Sequence, residues 1–270
     1  MESLMTIGEL EQQLLTLYPR EDAEAWDKTG LILGDPSQPV QGVLVALDPT
    51  IPAVEQAKRL GANVLVTHHP PFLKAPETYK PASSIAVEEG ALVFAAAQAG
   101  VALMCFHTAL DHSVAALKAL PMALGLQFQK TLLPLNVQEP AGKGYGAVCA
   151  FNDAAELMTA GSLARACASA FGGTPRIWGD PCAGVCSVVT AQGSAAEAGY
   201  EAVRQGVDCL VCGELKYHDA LPLSQAGLTV IELGHDKSEL PLAHLLYEVV
   251  CSMGFDNVGE MVQDANWTCV

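Results

Sequence analysis

The sequence predicts an α/β fold, and three observations carry that prediction. Short apolar runs such as Val43-Leu44-Val45-Ala46-Leu47 and Val64-Leu65-Val66 alternate with amphipathic segments of helical length. The runs are continuously apolar, as strands covered on both faces are, rather than alternating in polarity. The pattern also occurs twice, on either side of residues 131–146, which carry two prolines and then three glycines and read as a boundary. Residues 1–130 are expected to form a first α/β domain and residues 131–270 a second α/β region. Two βα halves of similar length are compatible with a diverged duplication.

Each element has a local reason. Ile7, Leu10, Leu14 and Leu17 recur at helical spacing behind Thr6, so a helix is expected over residues 7–17 with Thr6 as its N-cap. The strand at 42–47 ends at Asp48, and Thr50 with Pro52 marks a helix that runs to Arg59 and stops near Gly61. The next strand, 63–66, leads directly into His68 and His69. A Pro-rich loop at 70–81 precedes a helix expected over 84–99, a strand over 101–106 and a helix over 113–120. In the second half, strands at 146–151, 184–190, 207–212 and 228–233 alternate with helices at 154–171, 194–205, 216–226 and 239–253.

With 270 residues, half of them hydrophobic, the chain can bury a sizeable core. The longest apolar stretch, residues 91–106, is interrupted by Gln98 and Gly100 and falls short of the ~18 residues of a membrane span, so no membrane association is expected. The start of the chain lacks the basic and apolar regions of a signal peptide, which makes the cytoplasm the expected compartment. Nine scattered cysteines suit reduced core thiols better than a disulfide framework. A net charge of -16 repels polyanions and attracts divalent cations, which argues against direct nucleic-acid binding.

Open α/β sheets bind ligands beyond the carboxyl ends of their strands. Asp48, His68, His69, His107, Glu214 and His235 each follow the end of an apolar run by one to three residues. Two adjacent imidazoles at a buried strand end need hydrogen-bond partners or a metal. Imidazoles and carboxylates without thiolates suit Zn, Fe or Mn. Neighbouring histidines pointing in different directions favour two ions that share a carboxylate and a water. The metal ligands expected on these grounds are His68, His69, Asp111, His235 and Glu239. Each has a structural alternative: hydrogen-bonded packing for the histidines, an N-cap for Asp111 and a first-turn carboxylate for Glu239. His107 ranks below these five, either as a group orienting Asp111 or as a plain strand-end residue.

In Gly213-Glu214-Leu215-Lys216-Tyr217-His218-Asp219, Glu214 and His218 are the candidate catalytic acid–base or substrate-binding groups, against the alternative of a solvated helix start. His112 and His244 are assigned no function, and Asp48 is expected to cap the segment at Thr50. Cys209-Leu210-Val211-Cys212 has the spacing of a redox or zinc motif, but it lies inside an apolar strand without a second pair of that spacing, so core packing explains it. No P-loop, Gly-x-Gly-x-x-Gly or Gly-x-Ser-x-Gly motif occurs.

Taken in order, Trp26-Asp27-Lys28-Thr29-Gly30-Leu31, Thr67-His68-His69-Pro70, His107-Thr108-Ala109-Leu110-Asp111, Gly213-Glu214-Leu215-Lys216-Tyr217-His218 and Gly234-His235-Asp236-Lys237-Ser238-Glu239 resemble the signatures of the NIF-three-like dinuclear metal-centre family. Many of its members are labelled type 2 GTP cyclohydrolase I. The resemblance spans nearly the whole chain from Trp26. It implies two similar α/β domains with mixed sheets and a metal site at strand ends between them, assembled as a toroidal homo-hexamer. The family positions matching His68, His69, Asp111, His235 and Glu239 bind two divalent metal ions there, the same set reached from strand-end chemistry. Asp236 stands where an aromatic is common, and Glu214 where Asp is frequent. The function expected is a dinuclear metal-dependent hydrolase of a small-molecule substrate, GTP ring-opening among the possibilities, with Glu214, Tyr217 and His218 lining the pocket. The alternative is a non-catalytic metal-binding ring scaffold or regulatory adaptor.

Overall fold

The computed structural model describes residues 5–83, 90–152 and 158–263. Along the chain the elements are α1 (Ile7–Leu17), β1 (Thr29–Leu33), β2 (Val43–Ala46), α2 (Ile51–Leu60), β3 (Val64–Thr67), α3 (Ala91–Ala99), β4 (Ala102–Phe106), α4 (Thr108–Asp111), α5 (Val114–Ala123), β5 (Leu126–Pro134), β6 (Gly144–Phe151) and β7 (Met158–Thr159). They continue as α6 (Ala160–Phe171), β8 (Arg176–Trp178), β9 (Gly184–Val185), β10 (Val188–Ser194), α7 (Ala196–Arg204), β11 (Cys209–Glu214), α8 (Tyr217–Gln225), β12 (Thr229–Glu232), α9 (His235–Ser252) and β13 (Val258–Met261).

The chain divides into two compact units. One runs to Leu110 and resumes at Leu242; the other runs from Asp111 to Pro241. This differs from the division expected at residue 130 in two respects. The last strand returns to the first unit because β13 pairs in parallel with β2, Val258 opposite Val43 through Met261 opposite Ala46. Residues 131–146, expected as a boundary, form the tip of a hairpin in which β5 and β6 pair antiparallel from Leu126 opposite Phe151 to Pro134 opposite Gly144. The prolines and glycines there serve the turn: Pro140 accepts from the Thr131 amide at 2.8 Å, and the Thr131 hydroxyl donates to Gly142 at 2.6 Å.

The first unit holds a five-stranded mixed sheet of order β1-β4-β3-β2-β13, in which only β1 is antiparallel to its neighbour. Leu44, Leu65 and Leu103 pack with Ala53, Val54 and Ala57 of α2 and Ala96 of α3. Val43, Val45, Val64, Val66 and Met104 are buried as well. Continuous burial explains why these strands lack alternation. Thr6 caps α1 in a reciprocal box with Glu9, and Thr50 caps α2, which ends at Gly61 with φ +76°. Only α3 of the helix expected over 84–99 lies within the described residues before the Gly100 stop, since 84–89 fall outside them.

The second unit holds a six-stranded mixed sheet of order β5-β6-β10-β11-β12-β8, with β10, β11 and β12 parallel. Its strand residues divide between two apolar layers. Cys209, Val211 and Ile231 pack with α5 and α6, whereas Leu210, Cys212 and Val230 pack with α7 and α8. Cys209 and Cys212 are thus core residues on opposite faces, and burial pushes both thiols up. Of the helix expected over 154–171, α6 starts at Ala160 behind the short strand β7, and residues 153–157 lie outside the described set. No helix among the described residues is long and apolar enough to cross a membrane.

Candidate metal centre

In the first unit the adjacent parallel strands β2, β3 and β4 end in register, Ala46 opposite Thr67 and Thr67 opposite Cys105. Their carboxyl ends therefore deliver Asp48, His68, His69 and His107 to one place. The His68 amide donates to Ala46 at 3.3 Å and the His69 amide to Leu47 at 3.0 Å, extending the ladder far enough to fix both side chains. His68 is fully buried; His69 and His107 retain 19% and 16% of their side-chain exposure, enough for access from one side. The ring centroids lie 5.0 Å apart for His68 and His69, 5.2 Å for His68 and His107 and 5.6 Å for His69 and His107.

Each of these rings is held by Nδ1. His68 Nδ1 lies 3.1 Å from the Phe106 carbonyl, His69 Nδ1 2.7 Å from Asp48 Oδ1, and His107 Nδ1 2.9 Å from Asp27 Oδ1. Hydrogen bonding to an acceptor makes Nδ1 the donor, so the lone pair of the neutral ring sits on Nε2. Asp48 is not the cap expected of it; Thr50 accepts from the Ala53 amide at 3.2 Å and performs that task. Asp27, which stands in the Trp26–Leu31 signature but was given no role of its own, has a fully buried side chain and also accepts from the Thr108 amide at 2.9 Å. Burial alone would raise its carboxyl, but the hydrogen bonds from His107 and Thr108 outweigh it and lower the pKa to about 2.

In the second unit, β11 and β12 end beside the start of α9. That helix begins at His235 rather than at Glu239, so His235 and Glu239 are one turn apart on one face, with His235 Nε2 and Glu239 Oε2 at 3.1 Å. His235 Nδ1 lies 3.1 Å from Glu214 Oε1, the same arrangement as in the first unit. Ser238, fully buried, accepts from the Gly193 amide at 2.9 Å and donates to the His235 carbonyl at 2.8 Å, tying the helix start to the end of β10. Gly193 has φ +59°, and a Cβ there would collide with Glu239 Oε1. Asp111 is buried at the end of α4, with a carboxylate oxygen within 4.8 Å of one from Glu239. The phenol of Tyr145 is pushed well up by burial first, and then by Asp111, Cys212 and Glu239, so it remains a donor, bonded to Gln192 at 2.6 Å.

His218 lies in the first turn of α8, edge-on to the exposed Tyr217 ring at 5.4 Å. Glu232 is a second residue without a local signal. Its buried carboxylate accepts from the Leu215 amide at 2.7 Å, Trp178 Nε1 at 2.7 Å and Arg176 Nε, which pins the residue next to Glu214 at the end of β11. An acid at the last position of a buried strand was its only trace. Among the histidines assigned no function, His112 is buried and His244 engages Glu260 at 3.0 Å on the surface.

The donor set is therefore imidazole and carboxylate, with each imidazole turned by an acceptor, and it fits divalent ions of the Zn, Fe and Mn class. Relatives share this chain's extent. A Streptomyces coelicolor protein named GTP cyclohydrolase 1 type 2 homolog is 32% identical over 279 residues, covering 97% of this chain and 93% of that protein. A Clostridium perfringens protein of the same name is 24% identical and covers 88% of each. The solved structure of a Bacillus cereus protein related to NIF3 superposes over all of both chains with a TM-score of 0.85 at 18% identity, which shows the shared fold. The sequence profile of one family matches residues 5–262, a span that includes every strand-end residue described above. On that match, the chain belongs to the Duf34/NIF3 (NGG1p interacting factor 3) family.

Proposed function

We propose that the protein is a dinuclear metal-dependent hydrolase of a small-molecule substrate, with His68, His69, Asp111, His235 and Glu239 holding two divalent ions. One observation carries the reading. His68, His69 and His235 each have Nδ1 on a carbonyl or carboxylate acceptor, the arrangement that orients and strengthens imidazole as a metal ligand. Buried carboxylates on Asp111 and Glu239 supply the negative charge that such ions require. The ions, when bound, supply Lewis-acid polarisation of the substrate and activation of water near neutral pH.

The remaining roles belong to the chain's own side chains. Asp48 and Glu214 set the orientation of His69 and His235, and Glu232, by accepting from the Leu215 amide, holds the end of β11 that carries Glu214. Glu214, half exposed, and His218 are the groups assigned to proton transfer or substrate contact. The names of the relatives make GTP ring-opening the first reaction to try. We also assign a homo-hexameric assembly, which native mass spectrometry tests directly.

Elemental analysis of anaerobically purified protein should find two divalent ions per chain. His68→Ala and Glu239→Ala should each reduce that content and abolish turnover on GTP or on a panel of phosphoester, amide and cyclic substrates. Metal-loaded protein inert toward the whole panel sinks the hydrolase assignment. Unchanged metal content in both variants sinks the ligand assignment.

A further inference from the structure

We propose that Tyr145 is a positioning residue for Glu239, acting through a β-bulge at Gln192 and Gly193. Its consequence for ion binding rests on the metal-centre reading of the proposed function, whereas the bulge and its anchor rest on the second unit alone. Strands β10 and β11 pair in parallel with Ala191 opposite Cys212 and Ser194 opposite Glu214, so Gln192 and Gly193 together stand opposite Gly213. An extra residue in one strand breaks the ladder and leaves backbone groups that need partners elsewhere. The backbone of β6 does not supply them, because its ladder with β10 ends at Thr190 opposite Ala147. The Tyr145 phenol does. It donates to the Gln192 carbonyl at 2.6 Å, with the Ser194 carbonyl 3.2 Å away, so one hydroxyl sits at both carbonyls flanking Gly193. The buried Gln192 side chain fastens the bulge independently by donating to the Ala116 carbonyl at 2.6 Å.

The bulge forms the surface against which Glu239 rests. Gly193 has φ +59°, and the room that a Cβ would take there is filled by Glu239 Oε1. The Gly193 amide donates to Ser238 Oγ at 2.9 Å, and Ser238 Oγ donates to the His235 carbonyl at 2.8 Å. The place of the bulge therefore fixes both the first turn of α9 and the space open to the Glu239 carboxylate. Bulges beside functional sites re-aim side chains in this way. The Tyr145 ring packs on the apolar layer that holds Leu210, Cys212 and Val230, a task that phenylalanine would perform equally well. Only the hydroxyl reaches the bulge, so the two roles of Tyr145 can be separated by one oxygen atom.

The test uses full-length protein and Tyr145→Phe. In chelator-stripped protein, hydrogen exchange of the Gly193 amide followed by NMR should quicken about 10-fold in the variant, while Val189, before the bulge on the same strand, keeps its rate. An unchanged Gly193 rate, or an equal change at Val189, overturns the anchor. After reloading, Zn²⁺ affinity measured by competition with a chromophoric chelator should fall about 10-fold in Tyr145→Phe. Adding Tyr145→Phe to Glu239→Gln should cause no further fall, because the effect passes through that carboxylate. An equal fall in both backgrounds makes Tyr145 a general structural residue and overturns its positioning role. Failure of the metal-centre reading looks different: Glu239→Gln alone would keep wild-type Zn²⁺ affinity. That result removes Tyr145 from ion binding, and the Gly193 exchange rate still decides the anchor.

Discussion

Asp48 Oδ1 and His69 Nδ1 are 2.7 Å apart, which makes Asp48 the group that sets the tautomer of a strand-end histidine. The pair joins the ends of two neighbouring parallel strands. Asp48→Asn should lower metal affinity about 10- to 100-fold. It should barely alter stability, because Asp48 is nearly half exposed and ion pairs of that kind are worth about 1 kcal/mol or less. Chelator competition and urea unfolding check the two halves separately. An unchanged metal affinity would remove Asp48 from the site.

Glu232 should make folding sensitive to acid. Burial opposes its charge, yet the bonds from Arg176, the Leu215 amide and Trp178 hold its carboxyl below the ordinary value. A depressed folded pKa contributes stability that is present above the unfolded value, near 4.5, and lost as pH falls through the folded value. Glu232→Gln should cost about 1–3 kcal/mol at pH 7, in line with loss of a buried charge-assisted acceptor. The gap to wild type should narrow at pH 3. Equal gaps in urea midpoints at pH 7 and pH 3 would contradict this.

Gly193 and Gly100 separate backbone strain from site crowding. Both have positive φ, +59° and +70°, but a Cβ on Gly193 meets Glu239 Oε1 and one on Gly100 meets nothing within 4 Å. Alanine at either position should cost about 1 kcal/mol for the left-handed backbone. Only Gly193→Ala should also reduce metal content. Thermal unfolding with metal analysis of both variants decides it, and equal metal content in the two would mean that Gly193 has no part in positioning Glu239.

Cys209 and Cys212 should resist thiol reagents in the native protein, since both are fully buried with their thiols pushed up. Cys182, Cys186 and Cys251 are exposed and should react first. Mass mapping after a brief maleimide pulse distinguishes the groups. Early labelling of Cys212 would mean that β11 opens readily.

Much of the scaffold is local and therefore legible. The Thr6 cap, the helical spacing of Ile7, Leu10 and Leu14, the Thr50 cap and the Gly61 stop all act within a few residues, and α1 and α2 lie where those signals place them. Strands β1, β8 and β13 had no such signal. Arg176–Trp178 and Val258–Met261 are short, only partly buried edge segments whose strand state comes from their partners β12 and β2. The hairpin of β5 and β6 was hidden for a related reason, because its Pro and Gly residues read equally well as a linker.

The same division runs through the site. By itself, the order of residues determined that His68, His69, His107 and His235 stand just past buried strands and Glu214 at the end of one, because an apolar run followed by a polar residue marks a strand end without reference to the rest of the fold. It could not name the acceptors that aim the rings. Asp27 reaches His107 across 80 residues, Asp48 reaches His69 across 21, and Glu214 reaches His235 across 21. Those pairings exist only once the strands lie side by side in register, so tertiary structure alone decided which nitrogen of each imidazole is turned toward a ligand position.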